Sequence, residues 1–156
     1  MLNPPLVIMT AHQYLYEKLA LHCGYLVIPF KCGIISGSDL YSYQLLCAFE
    51  RQGRFHKAVN PTEDYAGSVE RVMAIAQTFL AHHSDLPSAT TYVQQRYVYQ
   101  GNLILISQIA GKYFYDHYSP DSLNNLAAPR LFEDETDCIA WVKQGIDRIH
   151  PSVSQE

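Results

Sequence analysis

The sequence predicts an α/β or α+β domain in which a single small sheet is flanked by about four to five helices. Apolar residues recur at helical spacing in several segments, most clearly in Val69–Leu80. Two strand-like runs, Tyr92–Tyr99 and Leu103–Ile109, predict a hairpin at 92–109 because a short turn segment separates them. The chain has 156 residues, the usual length of one globular domain.

The composition indicates a globular protein. Hydrophobic residues make up 48% of the chain and charged residues 17%, so enough apolar surface is available to form a core. The net charge is −4, and Lys and Arg form no basic stripe. We therefore expect neither a nucleic-acid nor a membrane partner. No apolar run approaches the roughly 20 residues that a membrane-spanning helix needs.

The cysteines indicate a cytoplasmic protein. Cys23, Cys32, Cys47 and Cys138 form no C-x-x-C pair and lie among apolar residues. Such residues are typical of reduced, buried thiols. Met1–Pro5 has no basic region followed by an apolar core, so we expect no signal peptide. Residues 1–9 and 150–156 are expected to be loose termini.

The first predicted helix covers about residues 11–22. Thr10 can cap its N-terminus, and Gly24 can end it. A strand follows at Tyr25–Phe30, where Pro29 predicts an edge position or a strand end. Gly33–Gly37 is either a second short strand or a turn. A second helix is predicted at about 39–51, before Gly53.

A weakly alternating strand is predicted at Arg54–Val59. Next comes a helix-start signal, in which Asn60 is the cap, Pro61 takes the first helical position and Glu63 reaches back to the cap. The helix is expected to continue to about His82, with a loop after it.

The C-terminal half begins with the hairpin at 92–109. Leu103–Ile106 is continuously apolar, as in a central strand buried on both faces. Residues 111–127 are predicted to be helical in part, and Pro129–Phe132 to be a short strand. Asp134 caps a last helix at about 135–149, whose apolar residues fall at helical spacing.

Residues 102–145 resemble the C-terminal half of a SpoIIAA-like (STAS-type) domain. The resemblance rests on the apolar strand Leu103–Ile106, the Asn124-Asn125 segment, the run Pro129–Glu135 and a helix that carries Ala140-Trp141-Val142. It implies a sheet flanked by helices and a non-catalytic regulatory role, through protein partners or a small ligand. No site residue is carried over, because Gly67-Ser68 does not match the phosphorylated Asp-Ser-Ser turn of the family.

Tyr92, Arg96, Tyr97 and Tyr99 form the predicted interaction surface. Both alternating sets of this strand mix polar and aromatic residues, so one face is expected to meet solvent or a partner. Tyr and Arg are enriched at protein interfaces. We therefore expect a protein partner or a homo-oligomer to contact this strand.

Tyr113, Tyr115, Asp116 and His117 form the candidate ligand pocket. A carboxylate can orient an imidazole, and tyrosines can donate hydrogen bonds to a ligand. On the predicted helix, however, Asp116 and His117 would point about 100° apart and would not pair. The sequence fixes no nucleophile nearby, so we assign no catalytic residue.

Histidine spacing predicts no metal site, because the chain contains neither H-x-x-x-H nor H-E-x-x-H. His82-His83 is instead typical of a helix C-terminus, where the helix dipole favours it. Gly33–Asp39 lacks the Lys and the third Gly of phosphate-binding loops. We therefore expect no cofactor.

These observations favour a non-enzymatic cytosolic regulatory or protein-interaction domain. The alternative is a small-molecule-binding sensory domain, or a minor enzyme, that uses the Tyr/Asp/His pocket. Ligand-induced stabilisation would discriminate between them, because a ligand stabilises the folded protein that binds it.

Overall fold

The computed structural model describes residues 6–47, 54–86 and 95–149. Within these ranges the chain forms seven β-strands in two antiparallel sheets and two α-helices. The prediction of one small sheet with about four to five flanking helices is therefore wrong. The chain divides into two compact units, which are described separately below.

The first unit comprises Met1–Tyr92 together with Pro120–Ser122. Its elements are β1 (Val7–Tyr14), β2 (Ala20–His22), β3 (Tyr25–Ile35), β4 (Ser38–Cys47) and α1 (Val69–His83). A 3-10 turn at Tyr16–Lys18 separates β1 from β2. β1 pairs with the second half of β3 and β2 with its first half. Together they form one interrupted strand beside β3, and β4 pairs with the opposite edge of β3.

The second unit comprises Val93–Ser119 together with Leu123–Glu156. Its elements are β5 (Gln95–Tyr99), β6 (Asn102–Ile109), β7 (Lys112–Tyr118) and α2 (Glu135–Ile149). The strand order is β5-β6-β7, and both pairs are antiparallel. β5 and β6 form the hairpin that the sequence predicts at 92–109, of which residues 92–94 lie outside the described ranges.

Four two-residue turns join neighbouring strands in the two units. They are Cys23-Gly24, Ser36-Gly37, Gln100-Gly101 and Ala110-Gly111. In each turn both residues have positive φ, 47–50° at the first residue and 76–84° at the glycine. This is the type I′ geometry that matches the twist of antiparallel strands. Each unit is therefore an antiparallel meander of three lines followed by a helix. The lines are β1 with β2, β3 and β4 in the first unit, and β5, β6 and β7 in the second.

The helices predicted at about 11–22 and 39–51 are wrong, because these segments form β1, β2 and β4. Every residue from Ser42 to Cys47 is buried, so both faces of this part of the strand are covered, including the polar Ser42 and Gln44. A strand buried on both faces carries no period-2 signal and can be mistaken for a helix. Gly24, which was predicted to end a helix, lies in a hairpin turn instead. Residues 48–53, including Gly53, lie outside the described ranges.

Pro29 lies inside the central strand of its sheet, rather than at the predicted edge position or strand end. Its carbonyl oxygen accepts a hydrogen bond from the Leu15 N–H at 2.9 Å. In a strand, the N–H and C=O of one residue point to the same side. The backbone N–H that proline lacks would therefore face the interruption between β1 and β2. No hydrogen bond between strands is lost at that point. The Tyr25–Phe30 strand itself is present within β3.

The segment 54–66 forms no continuous strand, although one was predicted at 54–59. Instead it runs along the outer edge of β4, as the following section describes. The predicted helix start at Asn60 is also wrong. α1 begins at Val69, where the Ser68 hydroxyl accepts a hydrogen bond from the Arg71 N–H at 3.2 Å.

In the second unit, the partial helix predicted at 111–127 is wrong, because residues 112–118 form β7. The short strand predicted at Pro129–Phe132 is reduced to one bridge between Phe132 and Tyr113. The last helix is confirmed at 135–149, and the Asp134 carboxylate accepts a hydrogen bond from the Asp137 N–H at 2.8 Å.

Each unit has its own hydrophobic core between the sheet and the helix. In the first, strand residues such as Val27 and Leu45 pack with Val72, Ala76 and Leu80 of α1. In the second, strand residues pack with the inward face of α2. The buried members of this second core are Ile104, Ile106, Tyr115, Phe132, Cys138, Val142 and Ile146. In the described part of the chain, no helix is long and apolar enough to cross a membrane.

Candidate functional site at the open edge of β1

The predicted interaction surface on β5 does not form one exposed face. Tyr97 and Tyr99 point towards α2, where their hydroxyls donate to Glu135 Oε1 at 2.6 Å and to Asp147 Oδ1 at 2.7 Å. The carboxylate acceptor raises the pKa of each phenol. Arg96 is exposed and lies on the opposite face of the sheet, because strand residues alternate. Tyr92 lies outside the described residues.

The four residues of the predicted ligand pocket lie on β7, which divides them between two faces. Tyr113, Tyr115 and His117 are on the side of α2, whereas Asp116 is on the other side. His117 is only 8% exposed. Asn102 donates its amide to two carbonyls, so its Oδ1 accepts from His117 Nε2–H at 2.9 Å. Burial disfavours the charged ring and so lowers the pKa of His117.

Asn125 connects this polar cluster to the segment that follows β7. Its side-chain oxygen accepts from the backbone N–H groups of His117 and Ala127, both at 3.0 Å. Its amide donates to Asp116 Oδ1 at 2.6 Å. The Leu126 N–H also donates to the His117 carbonyl at 2.8 Å. These bonds hold the segment after β7 along the outer edge of that strand.

The edges of the two sheets differ in how they are covered. At β4, the segment 57–66 supplies backbone hydrogen bonds to Leu45, Tyr43 and Tyr41. At β7, the segment 126–132 does the same for His117 and Tyr113. An uncovered strand edge presents free N–H and C=O groups to which another chain can add. Among the described residues, the edges without such a segment are β5 and the interrupted line of β1 and the three-residue β2.

β5 carries a feature that usually protects an edge from pairing. The charged Arg96 lies on the face of the sheet opposite α2. Charged side chains disfavour the addition of another strand. Val98 is its exposed apolar residue, at 39%.

β1 lacks this protection. It has eight residues, and none of Val7–Tyr14 carries a formal charge when His12 is neutral. Four consecutive apolar side chains at its start are exposed, namely Leu6 (69%), Val7 (47%), Ile8 (49%) and Met9 (57%). Because neighbours in a strand point to opposite faces, apolar surface is exposed on both faces of β1.

The hydrogen bonds around β1 show which backbone groups face outward. The Leu6 carbonyl accepts from the Ser36 N–H at 2.8 Å, so Leu6 points towards β3. In an antiparallel ladder successive residues alternate between the two sides. Ile8 therefore points inward like Leu6, whereas Val7 and Met9 direct their N–H and C=O groups to the open edge.

Two features limit the length of the open edge. The pairing of β1 with β3 shifts register between Met9 and Gln13, which ends the regular run. Further on, the Tyr14 N–H donates to the Pro120 carbonyl at 2.8 Å. The free and regular part of the edge is therefore Leu6–Met9, which we call the β1 edge.

Gly33 allows the close approach of the β1 backbone. A Cβ atom at this position would lie 2.5 Å from the Ile8 carbonyl oxygen. No side chain can occupy that distance without a shift of the backbone. The identity of residue 33 therefore determines the position of the β1 edge.

A second surface feature of the first unit is a groove of about 450 Å³ beside α1. Its lining includes Asp64, Arg71, Phe79, His82 and His83. His83 stacks on Phe79 with ring centroids 4.7 Å apart. His82 Nδ1 lies 2.9 Å from the Thr78 carbonyl, which can only accept, so neutral His82 carries its proton on Nδ1.

No group of three or more His, Cys, Asp or Glu side chains suited to a metal ion occurs in the described part of the chain. In comparisons with protein-family models, curated proteins and solved structures, no match to this chain was found.

The β1 edge was missed by the sequence analysis, in which residues 1–9 were expected to be a loose terminus. One signal was available. Leu6-Val7-Ile8-Met9 is an uncharged apolar run next to a segment rich in β-branched and aromatic residues. Its exposure could not be read from the sequence, because the same run would suit a buried strand.

Proposed function

We propose that this chain is a protein-interaction domain that binds an extended polypeptide segment by strand addition at the β1 edge. The observation that carries the proposal is the uncovered, uncharged edge at Val7–Met9, with exposed apolar side chains on both faces. In this mode of recognition, main-chain hydrogen bonds provide affinity and alternate side chains provide specificity.

The energetics of the edge support this proposal. Burying a Val, Leu, Ile or Met side chain fully contributes roughly 1.5–3 kcal/mol. Here four such side chains are about half exposed, so their coverage by a partner would be favourable. Since the β1 edge has no charged side chain, a partner strand would bury no unpaired charge.

A non-enzymatic regulatory role in the cytoplasm is part of the same proposal. Cys23, Cys32, Cys47 and Cys138 are free thiols, and the last three are buried. Free cysteines are typical of a reducing compartment. The resemblance of residues 102–145 to SpoIIAA-like domains also implies a regulatory, non-catalytic role.

The direct test is an NMR titration of the 15N-labelled protein with a synthetic strand peptide of alternating valine and threonine. We expect the amide signals of Val7 and Met9 to shift, because these groups point outward. The amides of Arg96 and Val98 in β5 should not shift.

Two proline variants make this test specific. Met9→Pro removes an outward N–H, which an edge strand tolerates, and it should abolish the shift at Val7 without lowering Tm. Val98→Pro removes the equivalent outward N–H of β5 and should leave peptide binding unchanged. A peptide that shifts β5 amides and leaves β1 unaffected would contradict the proposed function.

The groove beside α1 supports the alternative function, binding of a small molecule. Phe79 and His83 provide an aromatic surface, and Arg71 provides a permanent positive charge. This combination suits a planar aromatic carboxylate. Benzoate should raise Tm of the wild-type protein and not of the Arg71→Ala variant. If benzoate raises both equally or neither, the groove is not the binding site.

A further inference from the structure

We infer that the occupant of the β1 edge is a second copy of this chain, which pairs with it antiparallel about a two-fold axis at Ile8. This inference rests on the proposed function and names the partner. It follows from the direction of the backbone groups, the distribution of apolar residues and charge along β1, and the coverage of the other edge of the sheet.

The outward backbone groups fix the register of the pair. Only Val7 and Met9 point their N–H and C=O groups to the open edge within the regular run. When Ile8 faces Ile8 of the second copy, Val7 faces Met9 of that copy, and Met9 faces its Val7. Each such pair exchanges two hydrogen bonds, as hydrogen-bonded pairs of an antiparallel ladder do. All outward groups of the run are then satisfied.

The apolar residues match in the same register. Val7 and Met9 lie on one face of the sheet and Ile8 on the other, so each of these three side chains meets an apolar one, and Leu6 meets Thr10. A shift of the axis towards Gln13 would place Leu6–Met9 opposite Thr10–Gln13, which is more polar and includes the register shift. The register centred on Ile8 therefore covers more apolar surface than the shifted one.

Charge also favours self-pairing at this edge. The whole chain has a net charge of −4, but Val7–Tyr14 contributes no formal charge. Like charges directly opposite each other destabilise a strand pair, and none arise here. Asp39, which pairs with Ile34 in the same ladder, forms an ion pair with Lys31 at 3.0 Å.

The assembly closes after two copies. The other edge of the same sheet is β4, and the segment 57–66 covers it. An isologous contact uses the same patch on both copies and leaves no further binding surface. The contact is small beside the roughly 20–30 residues per side of stable interfaces. We therefore expect a monomer–dimer equilibrium that depends on concentration.

The first measurement is the mass of the wild-type protein by sedimentation equilibrium over about two decades of concentration. We expect the average mass to rise from that of one copy towards two, and no higher. A monomer at every concentration, or growth beyond two copies, would overturn the inference.

The register is tested at Ile8, whose side chain is exposed in the monomer. Ile8→Lys and Ile8→Glu each place two like charges at the two-fold axis, so each variant alone should dissociate at least about tenfold more readily. An equimolar mixture should recover the dimer, because opposite charges then meet at the axis. Failure of the mixture to associate better than either variant would contradict this register.

Val98→Lys is the matched control, because it adds the same charge to the open edge of β5. It should leave the association unchanged, and loss of the dimer in this variant would contradict the inference. If Ile8→Lys lowers Tm, Met9→Pro provides a second variant, which should remain monomeric and folded.

The outcomes for the inference and for the proposed function can be told apart. If the protein stays monomeric while the valine–threonine peptide still shifts Val7 and Met9, the second copy is not the occupant and strand addition at β1 stands. If the protein is monomeric and the peptide has no effect on β1, both are wrong.

Discussion

The two units share one plan and differ at their open edges. Each has a three-line antiparallel meander, type I′ turns and a helix that covers one face of the sheet. In the second unit, the open edge is β5, which carries the charged Arg96. In the first unit, the open edge is β1, which has no formally charged residue when His12 is neutral. Leu6 and the first three residues of β1 expose four apolar side chains.

This difference teaches that a candidate interaction surface can be identified by the protection that an edge lacks. Both sheets cover the edge of their last strand with the segment that follows it. Only β5 has the protection that an exposed edge needs against unwanted pairing. The missing protection at β1 is therefore the difference on which the proposed function rests.

The largest effect is expected from a change that displaces the β1 edge. Gly33→Ala places a Cβ atom against the Ile8 carbonyl oxygen and should lower the free energy of unfolding by about 1–3 kcal/mol. It should also weaken the pairing of two copies. Gly67→Ala is the control, because a Cβ atom there meets nothing within 4 Å. Urea denaturation and sedimentation would measure both effects. A Gly33→Ala protein as stable as Gly67→Ala would contradict the close approach.

A somewhat smaller effect tests the plan that the units share. Gly37 and Gly111 have φ of 84° and 78°, and a Cβ atom at either would contact nothing. Replacement by Ala should therefore lower the free energy of unfolding only by the cost of a left-handed backbone conformation, about 1–2 kcal/mol. We expect similar losses in both variants by urea denaturation. A loss confined to one variant would show that the two turns are not equivalent.

The smallest effect concerns pH and belongs to the second unit. Burial lowers the pKa of His117 below its ordinary value of 6.5. As pH falls through 6.5 the unfolded chain gains a proton before the folded one does, so stability decreases on acidification. Between about pH 7.5 and pH 5.5, the Tm of the His117→Gln variant should fall less than that of the wild type. An equal loss in both proteins would show that His117 does not cause the dependence.

Local signals explain the parts of the fold that the sequence predicts correctly. α2 begins at an Asp cap and has a regular apolar stripe, and both signals are independent of the rest of the fold. The β5–β6 hairpin is identified by Gln100-Gly101 between two strand-like runs. Leu103–Ile106 is long enough and apolar enough to indicate a buried strand.

The incorrect predictions have a common physical cause. A glycine with positive φ ends a helix and also forms a type I′ turn, so Gly24 fits both structures. In β4, burial on both faces removes the alternation that would identify a strand. Similarly, Asn60 has the residue type of a helix cap, but its N–H donates to the Tyr43 carbonyl along β4.

The candidate site depends on long-range pairing and so could not be predicted from local signals. On a strand, Asp116 and His117 point to opposite faces, which divides the predicted pocket. The β1 edge exists only because β3 pairs with one side of β1 and nothing among the described residues covers the other. That arrangement depends on residues such as Gly33 and Ser36, which are distant in sequence.

The most direct test of the account compares outward amides of the two open edges. Hydrogen exchange of Val7 and Met9 in β1 should be measured by NMR beside that of Arg96 and Val98 in β5, at low and high protein concentration. We expect exchange to slow at Val7 and Met9 as concentration rises and to stay fast in β5. Equal exchange at both edges at every concentration, or protection of β5 alone, would contradict it.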